Sequence, residues 1–172
     1  MTDYIIKIHG VNNGKHIHCF NIKDDFFENF NNSEITHANI IANVILKKTD
    51  DKLSLSIKIY GKINNLLCDL CAEKITINIS SETTIIIVET NEDLPSTDDI
   101  IYVKPKEKEV NISHLLFELI TLSLPNKRRH ELNEDKSTEC DKEMLKLIKA
   151  YSTKKKTSDS RWNVLKDLKI TQ

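Results

Sequence analysis

The sequence predicts an α+β fold: an antiparallel β-sheet or partly open barrel, a helix packed after it, and a basic C-terminal tail of short helices. Three observations predict it. Leu53, Leu55, Ile57 and Ile59 recur at every second position with Ser54, Ser56 and Lys58 between them, which sorts apolar and polar side chains onto opposite faces of a strand. Leu115, Leu116, Leu119, Ile120, Leu122 and Leu124 form an apolar stripe at helical spacing that Pro125 stops. Charge then changes sign: residues 61–104 hold three Lys against eight Asp or Glu, whereas residues 125–172 hold thirteen Lys or Arg against eight. The expected division is a core over residues 1–125 and a basic extension over 126–172.

The elements follow in order. Tyr4 to Val11 reads as a strand with Ile6 and Ile8 on one face, and Asn12-Asn13-Gly14 as the turn of a hairpin leading to a second strand through His16, His18 and Phe20. Phe26, Phe27 and Phe30 suit the packing face of a short helix over Asp24 to Phe30. Thr49-Asp50-Asp51-Lys52 joins a strand containing Val44 and Leu46 to the alternating strand that follows. After Gly61 the chain runs through Lys62 to Leu67 and returns as Ile75, Ile77 and Ile79, so Cys68 and Cys71 fall in a connection between strands. The unbroken run Ile85 to Val88 suits a central strand, Glu89 to Asp99 an acidic loop, and Ile100 to Val103 a short strand. Asn111 or Ser113 can cap the next helix. Met144, Leu145, Leu147 and Ile148 predict a short amphipathic helix ending near Tyr151. Thr153 to Ser158 reads as a linker, and Asp159 can cap a last helix carrying Trp162, Leu165 and Leu168 on one side.

Composition excludes several classes. At 172 residues and 39% hydrophobic, the chain can fill one real core. Four cysteines are too few for a disulfide framework. No apolar run approaches the roughly 18 residues of a membrane span, and Met1 to Lys7 does not look like a secretory leader. The expectation is a cytosolic protein with reduced thiols. Only Gly10, Gly14 and Gly61 are present, so glycine-rich phosphate loops are excluded. No His-Glu-x-x-His occurs, and Ser113 lacks the glycines of a nucleophile elbow. The chain is therefore expected not to be an enzyme.

Two places can carry chemistry. Cys68-x-x-Cys71 can offer two thiolates to one tetrahedral ion. The remaining ligands, among Cys19, Cys140, His16, His18 and His130, stand at no recognisable partner spacing, so a structural role without a cofactor is expected and zinc is the alternative. Asp69 beside the pair argues against an activated redox thiolate. The basic stretch Lys127-Arg128-Arg129 before His130 is the best contact candidate, because guanidinium forks suit phosphates. Lys154, Lys155 and Lys156 add charge, and Arg161 beside Trp162 offers a donor next to a stacking ring.

Several pieces then coincide. Gly61 precedes a strand and Leu67-Cys68-Asp69-Leu70-Cys71. Asn111-Ile112-Ser113 opens a helix closing on Leu122-Ser123-Leu124-Pro125, and His130 follows. The chain ends with Asp159-Ser160-Arg161-Trp162 and the spaced Leu165 and Leu168. In this order they resemble the YceD family, or DUF177, the large ribosomal RNA subunit accumulation proteins. The resemblance spans about residues 10 to 169. It implies a non-enzymatic, cytoplasmic, bacterial ribosome-biogenesis factor supporting accumulation or processing of 23S ribosomal RNA, with that RNA or a pre-50S particle as partner. The contact candidates are then Lys127, Arg128, Arg129, Lys154, Lys155, Lys156, Arg161 and Trp162. The alternative is an adaptor that docks a large-subunit ribosomal protein through the acidic loop bearing Glu92, Asp93, Asp98 and Asp99. Two departures stand out. Leu70 occupies a position where family members commonly carry Arg, and of the cysteine cluster that many carry after the Leu-Pro segment only Cys140 remains. A four-cysteine site in the tail is excluded; a mixed set of Cys68, Cys71, His130 and Cys140 stays conceivable, and no spacing forces it.

Overall fold

The computed structural model describes residues 4–31, 33–50, 52–130 and 139–152. The chain forms a mixed α+β fold built on an open five-stranded sheet in the order β2-β3-β4-β5-β6. Its strands are β2 (Gly14–Ile22), β3 (His37–Thr49), β4 (Lys52–Leu67), β5 (Lys74–Glu89) and β6 (Ile100–Val103). All neighbours run antiparallel except β6, which joins β5 in parallel. The turn at Asp50, with φ of 53°, closes the β3–β4 hairpin at the position the sequence predicts.

Period-two patterning decides which face is covered. Ile40, Ala42, Val44 and Leu46 of β3 and Leu55, Ile57 and Ile59 of β4 are all fully buried, and Val44 pairs with Ile57 and Leu46 with Leu55 across the hairpin. Gly61 continues the inward row, opposite Ile40 and Ile79. The other face is open and mixed: Ser56 and Thr84 hydroxyls meet at 3.1 Å, Lys58 faces Glu82 at 3.8 Å, and Ile17 and Tyr60 stand exposed among them. Ile85 to Val88 does lie on an interior strand. It is not buried on both faces, however, because Ile85 and Ile87 point inward while Ile86 is 51% exposed.

Helices cover the buried face. In α1 (Asp24–Phe27) both phenylalanines are buried, and in α2 (Ser113–Leu122) Leu116, Leu119 and Ile120 are. The two meet where Phe30 stacks on Phe117, ring centroids 4.2 Å apart. The N-cap of α2 is Ile112, which offers no side-chain bond; Asn111 instead makes a turn just before it, its carboxamide oxygen accepting the Ser113 N–H at 2.8 Å. Leu122 is mostly exposed, while Leu124, past the end of the helix, packs partly buried against the core.

The first hairpin is a correction. β1 (Ile5–Lys7) does not pair with β2; it forms a separate two-stranded ribbon with β7 (Glu109–Asn111), Ile6 opposite Val110. The Asn-Asn-Gly turn is a local preference. Burying Ile6 and Val110 together over the core outweighs it. The tenth and last described element, α3 (Lys142–Tyr151), matches the predicted amphipathic helix and is capped by Asp141, whose carboxylate accepts the Glu143 N–H at 2.6 Å.

Candidate metal centre and the adjoining basic segment

The site begins with a break in a strand. Along β4 the inward positions are odd-numbered: Ile57, Ile59, Ile63. A bulge between Ile63 and Leu66 shifts the register against β5, with Asn65 in the left-handed region at φ 60°. Beyond it the inward positions are even, so Leu66 and then Cys68 turn toward the interior. Without the bulge, Cys68 would face solvent. Asn64-Asn65 is the sequence signal for it, since Asn tolerates this backbone region better than most residues.

The connection from β4 to β5 is a tight turn around the cysteines. Ala72 N–H donates to Cys68 O at 2.9 Å, and Cys68 N–H to Glu73 O at 2.9 Å. Ala72 itself is left-handed, φ 58°. This aims backbone donors at sulfur: the Leu70 N–H reaches Cys68 Sγ at 3.5 Å. Burial pushes the Cys68 thiol up, but backbone N–H groups of Cys71, Leu70 and His130 and the Cys71 side chain outweigh it and bring it down to about 6. The Asp69 carboxylate is turned aside, accepting the Arg128 N–H at 2.6 Å.

The chain after α2 returns to this turn. Asp69 N–H donates to Arg128 O at 2.7 Å, so Asp69 and Arg128 are bridged twice. The Arg128 guanidinium reaches Glu34 at 2.8 Å and lies 4.0 Å from Asp69, and Glu34 raises its pKa further, against a smaller lowering from burial. Docked this way, the segment delivers His130 to the cysteines. His130 Nδ1 lies 3.6 Å from Cys71 Sγ and 3.4 Å from Cys140 Sγ, and Cys68 Sγ lies 3.8 Å from Cys140 Sγ. All four ligand atoms fall within 4.8 Å of one another. None of the cysteines is in a disulfide. This Cys₃His cluster is capable of holding a metal ion, and it is the only such group among the described residues. Cys19 is exposed on β2, His16 bonds to Asn12 O at 2.9 Å, and His18 stacks on Phe20, so these three candidates lie outside it.

A groove of about 570 Å³ opens between β5 and the returning segment. Lys74, Asn78, Lys127, Arg128 and Arg129 line it, and Glu139 is the only carboxylate among its described lining residues. Lys74 is a basic wall that the sequence reading did not single out. Lys154, Lys155, Lys156, Arg161 and Trp162 lie outside the described residues.

A family model, Large ribosomal RNA subunit accumulation protein YceD, matches residues 55–169. The chain belongs to the YceD family. The matched stretch includes the bulged end of β4, all four residues of the Cys₃His cluster and the whole basic segment. YceD proteins are associated with ribosome biogenesis as accessory factors rather than enzymes. No curated protein and no solved structure matches the chain. No helix among the described residues is long and apolar enough to cross a membrane.

Proposed function

We propose that this YceD-family protein supports accumulation of 23S ribosomal RNA by binding that RNA, or a pre-50S particle, in the bacterial cytoplasm, without catalysis. In this reading residues 1–125 are the body and residues 126–172 the basic extension that meets RNA. The observation that carries it is the groove beside β5, lined by Lys74, Lys127, Arg128 and Arg129, with Glu139 the one carboxylate among its described lining residues. Such a strip tracks a phosphate backbone without reading sequence. Lys127 and Arg129 are the contacts we assign within it, joined by Lys154, Lys155, Lys156, Arg161 and Trp162 farther along. Arg128 differs, because its guanidinium is already held by Glu34.

The test is crosslinking in cells with sequencing of the bound RNA, paired with salt titration of binding to a 23S fragment. Crosslinks should concentrate in large-subunit RNA. Replacing Lys127 and Arg129 by Ala should flatten the slope of log affinity against log salt by roughly 1 to 2. Salt-insensitive association would sink the reading. An RNA-free result, with a basic protein partner lost on neutralising Glu92, Asp98 and Asp99, would favour the adaptor. Asp93 is less suited to that role, since Lys104 already pairs with it.

A further inference from the structure

We propose that Cys68, Cys71, His130 and Cys140 bind one zinc ion in a closed four-ligand site, and that this ion fastens residues 126–130 and α3 to the β4–β5 turn. The distances carry the first half. Zinc bonds of about 2.3 Å to sulfur and about 2.0–2.1 Å to nitrogen, at tetrahedral angles, put two sulfurs about 3.8 Å apart and sulfur and nitrogen about 3.6 Å apart. The cluster shows 3.8 Å between Cys68 and Cys140 sulfurs, and 3.6 and 3.4 Å from His130 Nδ1 to those of Cys71 and Cys140. Four donors converging on one point leave room for a single ion. Three thiolates and an imidazole are a zinc-selecting set, and oxygen-preferring cations are disfavoured. All three cysteines are buried, and four protein ligands fill the coordination shell, as a structural site requires. The backbone donor aimed at Cys68 Sγ from Leu70 is the support a thiolate ligand needs.

The second half comes from what else holds α3. None of its residues is buried. Leu145 rests against the core as a partly buried contact, while Met144, Leu147, Ile148 and Tyr151 are exposed. A ten-residue helix with so little burial is marginal by itself. Cys140, immediately before the Asp141 cap, is buried. Binding takes all three cysteines as thiolates, releasing the protons they still carry, and ties together segments about sixty and ten residues apart in sequence, where a clip restricts the unfolded chain most.

The experiment uses the full chain, free of RNA, purified under reducing conditions without chelator. Elemental analysis should return about one zinc per chain, and cobalt exchange should give the intense visible bands and thiolate charge-transfer absorption of a tetrahedral thiolate site. Losing a hydrogen-bond partner of a ligand costs roughly 10–100-fold in metal affinity, so Cys140→Ser should cost more. Cys19→Ser should cost nothing. His130→Cys should keep the metal and strengthen the charge-transfer band, which answers for any variant that fails to fold. Less than about a tenth of a zinc per chain after incubation with zinc, or Cys140→Ser binding as tightly as wild type, overturns the site. For the fastening, hydrogen exchange after chelation should show residues 139–152 losing protection while β3, β4 and β5 keep theirs. Unchanged protection at residues 139–152, or equal loss everywhere, overturns that half. Because no RNA is present, these results stand or fall separately from the RNA reading.

Discussion

The sheet and the stretch after Pro125 are held by different physics. The sheet with α1, α2 and the β1–β7 ribbon buries a continuous apolar cluster from Tyr4 to Ile120. Among the described residues after Pro125 the only buried one is Cys140. The first region is stabilised by the area it removes from water, and many residues share the load. The second is held, in its described residues, at named points: one backbone bond and one backbone-to-carboxylate bond between Asp69 and Arg128, the ion pair to Glu34, and the Cys₃His cluster. Where the described residues bury so little, a few polar contacts hold the chain, so single substitutions can release it.

The comparison breaks most visibly at Gly61. A Cβ there would stand 2.6 Å from Ile40 Cα and against the Asn39 carbonyl, which are backbone atoms of β3. Gly61 is therefore needed for close approach of the strands. Gly61→Ala should lower the unfolding free energy by about 3 kcal/mol or more, the upper end for overpacking, because backbone cannot rotate away. A urea midpoint measurement reads this. The β4–β5 turn should be lost with the sheet, so the extension goes too, whereas chelation should release the extension alone. A Gly61→Ala protein with an unchanged midpoint would show that the sheet yields more easily than its pairing implies.

What was legible follows the same division. Leu53 to Ile59 and Leu115 to Ile120 announced their elements because periodicity is a local property and burial enforces it. Asn12-Asn13-Gly14 misled because a turn preference is weaker than the burial that pairs Ile6 with Val110. Ile86 misled because a run of four apolar residues does not reveal that one sheet face is open. At the site, every ligand identity was visible and none of their distances was. Convergence of Cys68, Cys71, His130 and Cys140 depends on the Asn65 bulge and on the docking of Arg128, and neither has a period to read. Arg128 looked like a phosphate ligand because its partners, Glu34 and Asp69, are 94 and 59 residues away.

Arg128 sharpens the comparison at an intermediate size. Its side chain is 26% exposed against two carboxylates, and Arg128→Ala should cost about 1 kcal/mol, since partly solvated pairs contribute little more. The effect should be concentrated in the segment: exchange at residues 126–130 should rise while the sheet is unaffected. Glu34→Gln separates two roles. If Arg128 positions the segment, both substitutions weaken RNA binding. If Arg128 instead touches phosphate, freeing it through Glu34→Gln should strengthen binding and Arg128→Ala should flatten the salt slope.

The smallest effect lies within the sheet region, where a polar contact supplements burial instead of replacing it. Asp24, at the start of α1, accepts the Ala38 N–H at 2.8 Å and meets His37 Nδ1 at 2.9 Å. The His37 side chain, then the Ala38 N–H, hold its carboxyl below the ordinary carboxylate value. A carboxyl depressed in the folded state adds stability that is present above its unfolded pKa and lost as pH falls through its folded pKa. Asp24→Asn should therefore be slightly less stable than wild type near neutral pH. The gap should close as pH falls below the ordinary carboxylate range and through the depressed folded pKa, where Asp24 becomes protonated in both states. Urea titrations on chelator-treated protein keep proton competition at the cysteines out of the readout. A gap that persists at low pH would assign the effect to hydrogen-bond geometry rather than charge. The contact is solvent-exposed and the apolar cluster beneath it is unaltered by the substitution, so the sheet should stay folded at either pH. That tolerance is what the extension lacks.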